Sequence, residues 1–135
     1  MTLNDSSAVI KMDYGSVTIL FPGEISSKIE SKLIDSDAAL LKNRILIAGH
    51  HGSKTSSSAQ FLDAVSPQLI LISAGENSQL KLPSSEALLR MSATGATILR
   101  TDRDGEIEIA ITPQSTYART FNGKIIPLPK IGPPD

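Results

Sequence analysis

Apolar residues run along this chain in two rhythms. Arg44 to Ala48 (RILIA) and Gln68 to Ser73 (QLILIS) are short unbroken runs, whereas the stretches between them repeat apolar positions every three or four residues. An unbroken run of that length predicts a strand buried on both faces, and the longer period predicts an amphipathic helix. Ile25, Ile29 and Leu33, with Ile34 beside them, predict a helix to about residue 34 that Asp35-Ser36-Asp37 ends. Ser58 is placed to cap a second helix carrying Phe61, Leu62 and Val65, which Pro67 closes. Pro83 and Ser84 open a third, with Ala87, Leu88 and Met91 on one face and Gly95 where a C-terminal cap belongs.

The flanks carry strand signals. Ser7 to Met12 (SAVIKM) and Val17 to Phe21 (VTILF) predict a hairpin around a turn at Asp13-Tyr14-Gly15. Thr97 to Leu99 is a further short strand. Asp102-Arg103-Asp104-Gly105 then predicts a hairpin turn into a strand in which Ile107, Ile109 and Ile111 alternate with Glu106, Glu108 and Ala110. The order is a β-hairpin, then α, β, α, β, α, β, β: an α/β domain with a mixed sheet and helices packed on one side. From Pro113 onward only Asn122-Gly123 hints at a hairpin, and prolines stand at 127, 129, 133 and 134. Residues 1–112 are therefore expected to form the domain and 113–135 a loosely held Pro-rich extension.

Composition narrows the classes of function. In 135 residues the hydrophobic fraction is 40%, enough for a core, and 13 basic against 14 acidic residues leave a net charge of −1. No bulk positive field attracts nucleic acid, so any phosphate contact would be local. With no cysteine, disulfides and thiolate metal sites are excluded. No apolar run approaches the roughly 18 residues needed to cross a bilayer, so the chain reads as soluble.

Candidate chemistry gathers in loops after strands, where α/β sheets collect ligands. Both histidines of the chain, His50 and His51, directly follow the first buried run, and Glu24 follows the second strand of the hairpin. Imidazole and carboxylate suit zinc or manganese. Read from the residues alone, a hydrogen-bonded structural pair outranks a ligand pair. Ser53, Lys54, Thr55 and Ser56, with free backbone N–H groups at a helix start and Asn77 in the next loop, form a candidate phosphate pocket. The favoured reading makes Ser56 to Ser58 capping and turn residues only. No nucleophile-elbow pattern surrounds Ser53 or Ser73, and the residues after Asp102-Arg103-Asp104-Gly105 lack calcium-loop spacing.

Taken together, NDSSAVIKMDYGSVTILFPGE, RILIAGHHGSKTSSSAQFLDAVSPQLILISAGENS and LPSSEALLRMSATGATILRTDRDGEIEI resemble the metallo-β-lactamase-like domain of ComEC-type DNA-internalisation (competence) proteins and their soluble relatives. The resemblance covers about Asn4 to Thr112, and HHGS with TSSS, ISAG and RTDRDG are its most specific points. It implies the C-terminal half of a four-layer αβ/βα sandwich, from a line of metal-dependent hydrolases acting on DNA phosphodiesters during DNA uptake. The His-x-His-x-Asp-His segment that supplies most metal ligands in that family has no counterpart here. Gly23-Glu24 stands where the family has Gly-Asp, and Leu82-Pro83 where it has His-Pro.

That leaves His50, His51 and Glu24 as metal-ligand candidates, against about six or seven groups for a dinuclear centre and three or four for a single ion. Zinc or manganese is accordingly expected in the complete domain and none in the isolated chain, and no catalytic residue is assigned. Half a sandwich should also leave part of a row made of Val9, Ile19, Ile45, Ile47, Ile70 and Ile72 facing water. A homodimer or a separate N-terminal half would cover it. DNA is the implied ligand, and the abrupt start at a strand suits the extracytoplasmic part of a larger membrane protein. The alternative function is a non-catalytic binding or assembly module whose His50–Ser58 loop docks a phosphate or a partner.

Overall fold

The computed structural model describes residues 1–76 and 79–129. The two unbroken apolar runs become the middle of one sheet. Strands β1 (Ile10–Tyr14) and β2 (Val17–Phe21) pair antiparallel, and β3 (Ile45–Ile47), β4 (Leu69–Ile72) and β5 (Thr97–Arg100) follow in parallel, in the order β1-β2-β3-β4-β5. The hairpin turn lies slightly later than the sequence suggests. Asp13 and Tyr14 stay in the ladder opposite Thr18 and Val17, leaving Gly15-Ser16 as a two-residue turn with Gly15 at φ 59°. Such tight turns need a positive φ that glycine adopts without strain.

Helices α1 (Ser27–Leu41), α2 (Ala59–Val65) and α3 (Ser85–Ala93) cover one face of this mixed sheet. Leu20, Leu46, Ile70 and Ile72 of the sheet meet Leu41, Phe61, Leu62, Val65 and Met91 of the helices. The expected caps hold, since the Ser58 and Ser84 hydroxyls accept from the Phe61 and Ala87 N–H groups. Helix α1 runs beyond residue 34, but Asp37 (φ −163°, ψ 78°) breaks its geometry inside the predicted stop. There the Ser36 hydroxyl donates to the Leu33 carbonyl, the local competition that makes Ser and Asp poor helix interiors.

The other face corrects three expectations. The segment after Pro113 is not a loose extension over its described part. Strands β7 (Thr116–Thr120) and β8 (Ile125–Pro127) join β6 (Ile107–Ile111) in an antiparallel sheet of order β6-β7-β8. It buries Thr116, Ala118 and Thr120 while Arg119 faces solvent, and Pro127 stands on the edge strand and Pro129 just after it, where no ladder N–H is needed.

Second, the row expected to face water is covered within the chain. The small sheet seals Val17, Ile19, Ile45, Leu69 and Leu99 with Ala118 and Leu128, while Ile70 and Ile72 lie under the helices. The homodimer argument loses its basis at those positions. What stays open is the strip on β1, where Ile10 (56% exposed), Met12 and Tyr14 (63%) sit opposite Phe21, Ile19 and Val17 and so share their side of the sheet.

Third, Asp102-Arg103-Asp104-Gly105 is not a hairpin turn. Helix α4 (Thr101–Asp104) is a single turn that carries the chain from one sheet to the other. Asp104 holds it, accepting from the Arg100 N–H at 2.8 Å and from the Lys124 ammonium at 2.5 Å. Among the described residues no helix is long and apolar enough to cross a membrane.

Ending the chain at Thr112 would remove Ala118, Ile126 and Leu128 and leave only an unpaired β6 over Val17, Ile19, Ile45, Leu69 and Leu99. Each side chain returned to water costs about 1.5–3 kcal/mol, and together these losses rival the whole stability of a domain of this size. The truncated chain is expected to bind a hydrophobic dye and lose its cooperative thermal transition; an unchanged transition would show that the second sheet is dispensable.

Candidate functional site

Strands β2, β3 and β4 run in one direction and release their loops at one edge. The three loops meet around a cavity of about 240 Å³ lined by Phe21, Glu24, Ile47, His50, His51 and Ser73. The three metal-ligand candidates are thus brought together. His51 Nε2 lies 3.2 Å from one Glu24 carboxylate oxygen and His50 Nε2 lies 3.9 Å from the other.

Both histidines adopt left-handed backbone, His50 at φ 48°, ψ 44° and His51 at φ 54°, ψ 28°. Non-glycine residues are uncommon there, and each costs roughly 1–2 kcal/mol that the surroundings must offset. Backbone bonds supply that offset. The His50 N–H donates to the Gly23 carbonyl at 3.0 Å, the Ser53 N–H to the His50 carbonyl, and the Ser84 N–H to the Gly52 carbonyl at 2.9 Å. Gly52 (φ 77°) tolerates no side chain, because a Cβ there would stand 2.6 Å from the Pro83 Cβ. Leu82-Pro83 therefore packs against the histidine loop, with the proline ring buried and Leu82 half-buried.

The His51 ring is fixed by its other nitrogen. Nδ1 lies 2.9 Å from the Ser73 carbonyl, which can only accept, so Nδ1 carries the proton. Nε2 then meets the Glu24 carboxylate lone pair against lone pair, unless a proton or a cation stands between them. A histidine held by a backbone carbonyl, with its second nitrogen facing another ligand-type group at a cavity, is the arrangement that orients metal ligands. The Glu24 loop is held as firmly. The Glu24 N–H donates to the Ser7 hydroxyl at 3.1 Å, and Gly23 packs so close that a Cβ would lie 2.8 Å from the Ser7 Cβ. Asp5 anchors the next residues, accepting from the Ser26 N–H at 3.0 Å and the Thr2 N–H at 2.9 Å. Those bonds, Ser26 first, hold its carboxyl well below the usual carboxylate range.

The candidate phosphate residues fare differently. The N–H groups of Ser57 and Ser58 at the start of α2 already hold an anion, the Glu30 carboxylate, at 2.5 and 2.9 Å. The Ser56 hydroxyl is buried and donates to the Ile25 carbonyl at 2.7 Å. Ser53 and Thr55 pair with each other at 3.0 Å, Lys54 stays exposed, and Asn77 lies outside the described residues. Arg90 of α3 donates to the carbonyls of Lys54, Ser56 and Ser57 and ties the loop down. Sequence reading missed Glu30, although a carboxylate three and four residues before Leu33 and Ile34 sits on the apolar face of its helix. It also missed Ser73, whose backbone does the work and leaves no side-chain signal. Among the described residues, no group of three or more His, Cys, Asp or Glu is arranged to hold a metal ion.

No family model matches the chain. It is similar to competence protein ComA of Neisseria gonorrhoeae, with 35% identity over 108 residues, covering 80% of this chain and 16% of that protein. It is also similar to ComE operon protein 3 of Bacillus subtilis, 30% identical over 105 residues (78% of this chain, 13% of the relative). Recombination protein 2 of Haemophilus influenzae is 31% identical over 106 residues, again 78% of this chain and 13% of the relative. The chain therefore spans about one-sixth or less of the length of these relatives.

Replacing Glu30 by glutamine would turn one acceptor into a donor facing the Ser57–Ser58 N–H pair. A loss of about 2 kcal/mol is expected in chemical denaturation. Asp5→Asn is expected to lower stability at pH 7 with a sign set by linkage. Because the folded pKa lies below the unfolded value of about 3.9, the contribution is complete above that pH and fades as pH falls toward the folded value. The gap between the denaturation midpoints of parent and variant should narrow steadily as pH falls below about 3.9; a gap independent of pH would remove the carboxylate from the account.

Proposed function

We propose that this chain is the C-terminal half of a metallo-β-lactamase-type domain from the DNA-uptake line, related to hydrolases of DNA phosphodiesters. One observation carries this reading: His51 is pinned through Nδ1 to the Ser73 carbonyl, with Nε2 turned onto Glu24 beside His50, at the sheet edge where ligands collect. The names of ComA and ComE operon protein 3 support the DNA-uptake context.

Three donors, one of them 3.9 Å from its nearest carboxylate oxygen, do not by themselves fit a hydrolytic zinc or manganese centre. We therefore derive no catalytic step for the isolated chain. In the proposal a complementary N-terminal half brings the remaining ligands. It would seat on the open strip of Ile10, Met12, Tyr14 and Phe21, which adjoins the histidine cavity through Phe21. Residues 1–112 supply the loops that carry Glu24, His50 and His51 in this reading, and residues 116–128 cover the inner face of their sheet. A docking module built on the His50–Ser58 loop is disfavoured, because Glu30 already occupies the N–H pair that would receive a phosphate.

The purified chain with zinc or manganese is expected to leave single-stranded DNA and a simple phosphodiester uncut. Fused to a half-domain that carries a His-x-His-x-Asp-His segment, it should gain metal-dependent hydrolysis. His51→Ala should reduce that activity at least about tenfold. Turnover by the chain alone that is lost on His50→Ala would refute the incomplete site, and an inert fusion that binds no metal would refute the lineage.

A further inference from the structure

At the opposite end of the parallel strands, where β3 and β4 begin, a cavity of about 510 Å³ is lined by Ser16, Lys42, Asn43, Arg44, Ser66 and Gln68 among others. Among the described residues its charged lining is two cations, in a chain whose net charge is −1. Arg44 is only 5% exposed. Its guanidinium donates to the Ser16 carbonyl at 3.0 Å, to Gln68 Oε1 at 3.0 Å and to the Pro129 carbonyl. All three acceptors are neutral, and they engage three of the five N–H donors.

Among the described residues no carboxylate reaches Arg44 or Lys42, although a buried cation ordinarily requires a counter-charge. A second buried group in the same lining is also left over. Asn43 spends its amide hydrogens on the Leu40 and Leu41 carbonyls, which fixes its orientation, and its buried Oδ1 has no hydrogen-bond donor among the described residues. A ligand carrying anionic oxygens together with a hydroxyl would satisfy both deficits. Inorganic phosphate has that composition at neutral pH, and a phosphate monoester has it in its monoanion, below a second pKa of about 6.

We propose that this cavity is a phosphate site, with the Arg44 fork and the Lys42 ammonium as its cations and the Asn43 carbonyl oxygen accepting from the P–OH. It lies at the far end of the strands from the histidine cavity and does not depend on the hydrolase reading.

The test is an amide NMR titration of the full chain with inorganic phosphate, against sodium chloride of equal ionic strength. Saturable shifts are expected at residues 42–44, 66 and 68 and not at 49–53. Lys42→Ala, a change at an exposed helix end, should weaken binding about tenfold, the equivalent of one charge-assisted hydrogen bond. Arg44→Lys keeps the charge but loses the fork, and should weaken it as well, its fold checked by the unchanged remainder of the spectrum.

Oligothymidylate with and without a 5′-phosphate separates the sources. Shifts with the phosphorylated oligomer alone assign the site to a chain end, and shifts with neither, beside binding of inorganic phosphate, to the free ion; equal shifts with both would show binding to diesters, which have no P–OH, and would overturn the proposal. Equal shifts with chloride, unaltered binding by Lys42→Ala, or shifts centred on the histidine loop would overturn the proposal.

Discussion

Two strands without a wet side govern this molecule. Ile45, Leu46, Leu69, Ile70 and Ile72 are all effectively sealed from solvent, and they point alternately to opposite faces. Each face must therefore be covered, and neither cover alone is sufficient. Three helices close one side and a small antiparallel sheet closes the other. With both faces consumed by packing, polar chemistry is confined to the strand ends. The carboxyl ends carry histidine and glutamate, and the amino ends carry lysine and arginine.

The loops at the carboxyl edge are rigid for reasons that can be read bond by bond. Gly23, His50, Gly52 and Ser84 exchange backbone hydrogen bonds across three connections, and Ser7 and Asp5 brace the Glu24 loop from the chain's first residues. Within the serine-rich stretch the polar groups are largely turned inward, on Glu30, Ile25 and Arg90. That internal use sets Glu24, His50 and His51 apart, because their acid and imidazole groups remain partly exposed. Even with an imidazole protonated, an exposed pair of this kind adds at most about 1 kcal/mol to stability. Its convergence is therefore poorly explained as a stabilising device, whereas strained backbone at a cavity is a recurrent companion of function.

Contiguous aliphatic runs announced β3 and β4, because nothing else in a short chain uses four or five such residues together. Ser58 and Ser84 announced their helices, because a hydroxyl is the commonest way to satisfy an N–H that has no partner in the first turn. The second sheet was much less legible. Its inner positions include Thr116, Ala118 and Thr120, small residues that fit against a larger sheet without raising local hydrophobicity, and its prolines mimic a disordered tail. The Thr101–Asp104 turn was hidden because Asp-Arg-Asp-Gly serves hairpins and single helical turns equally well. At the site, the position of the histidine loop was readable but its support was not. Ser73 acts through a carbonyl, and Glu30 acts through a helix face that ordinarily holds only aliphatics.

The guanidinium of Arg90 gathers the carbonyls of Lys54, Ser56 and Ser57 onto one fork, so the serine-rich segment is anchored to α3, a helix some thirty residues later in the chain. Mechanically the segment travels with that helix. A residue inserted or removed between 53 and 58 would have to break the three-pronged grip before it could be accommodated. Evolutionary drift in length is thus steered away from this stretch and toward connections that nothing holds from a distance.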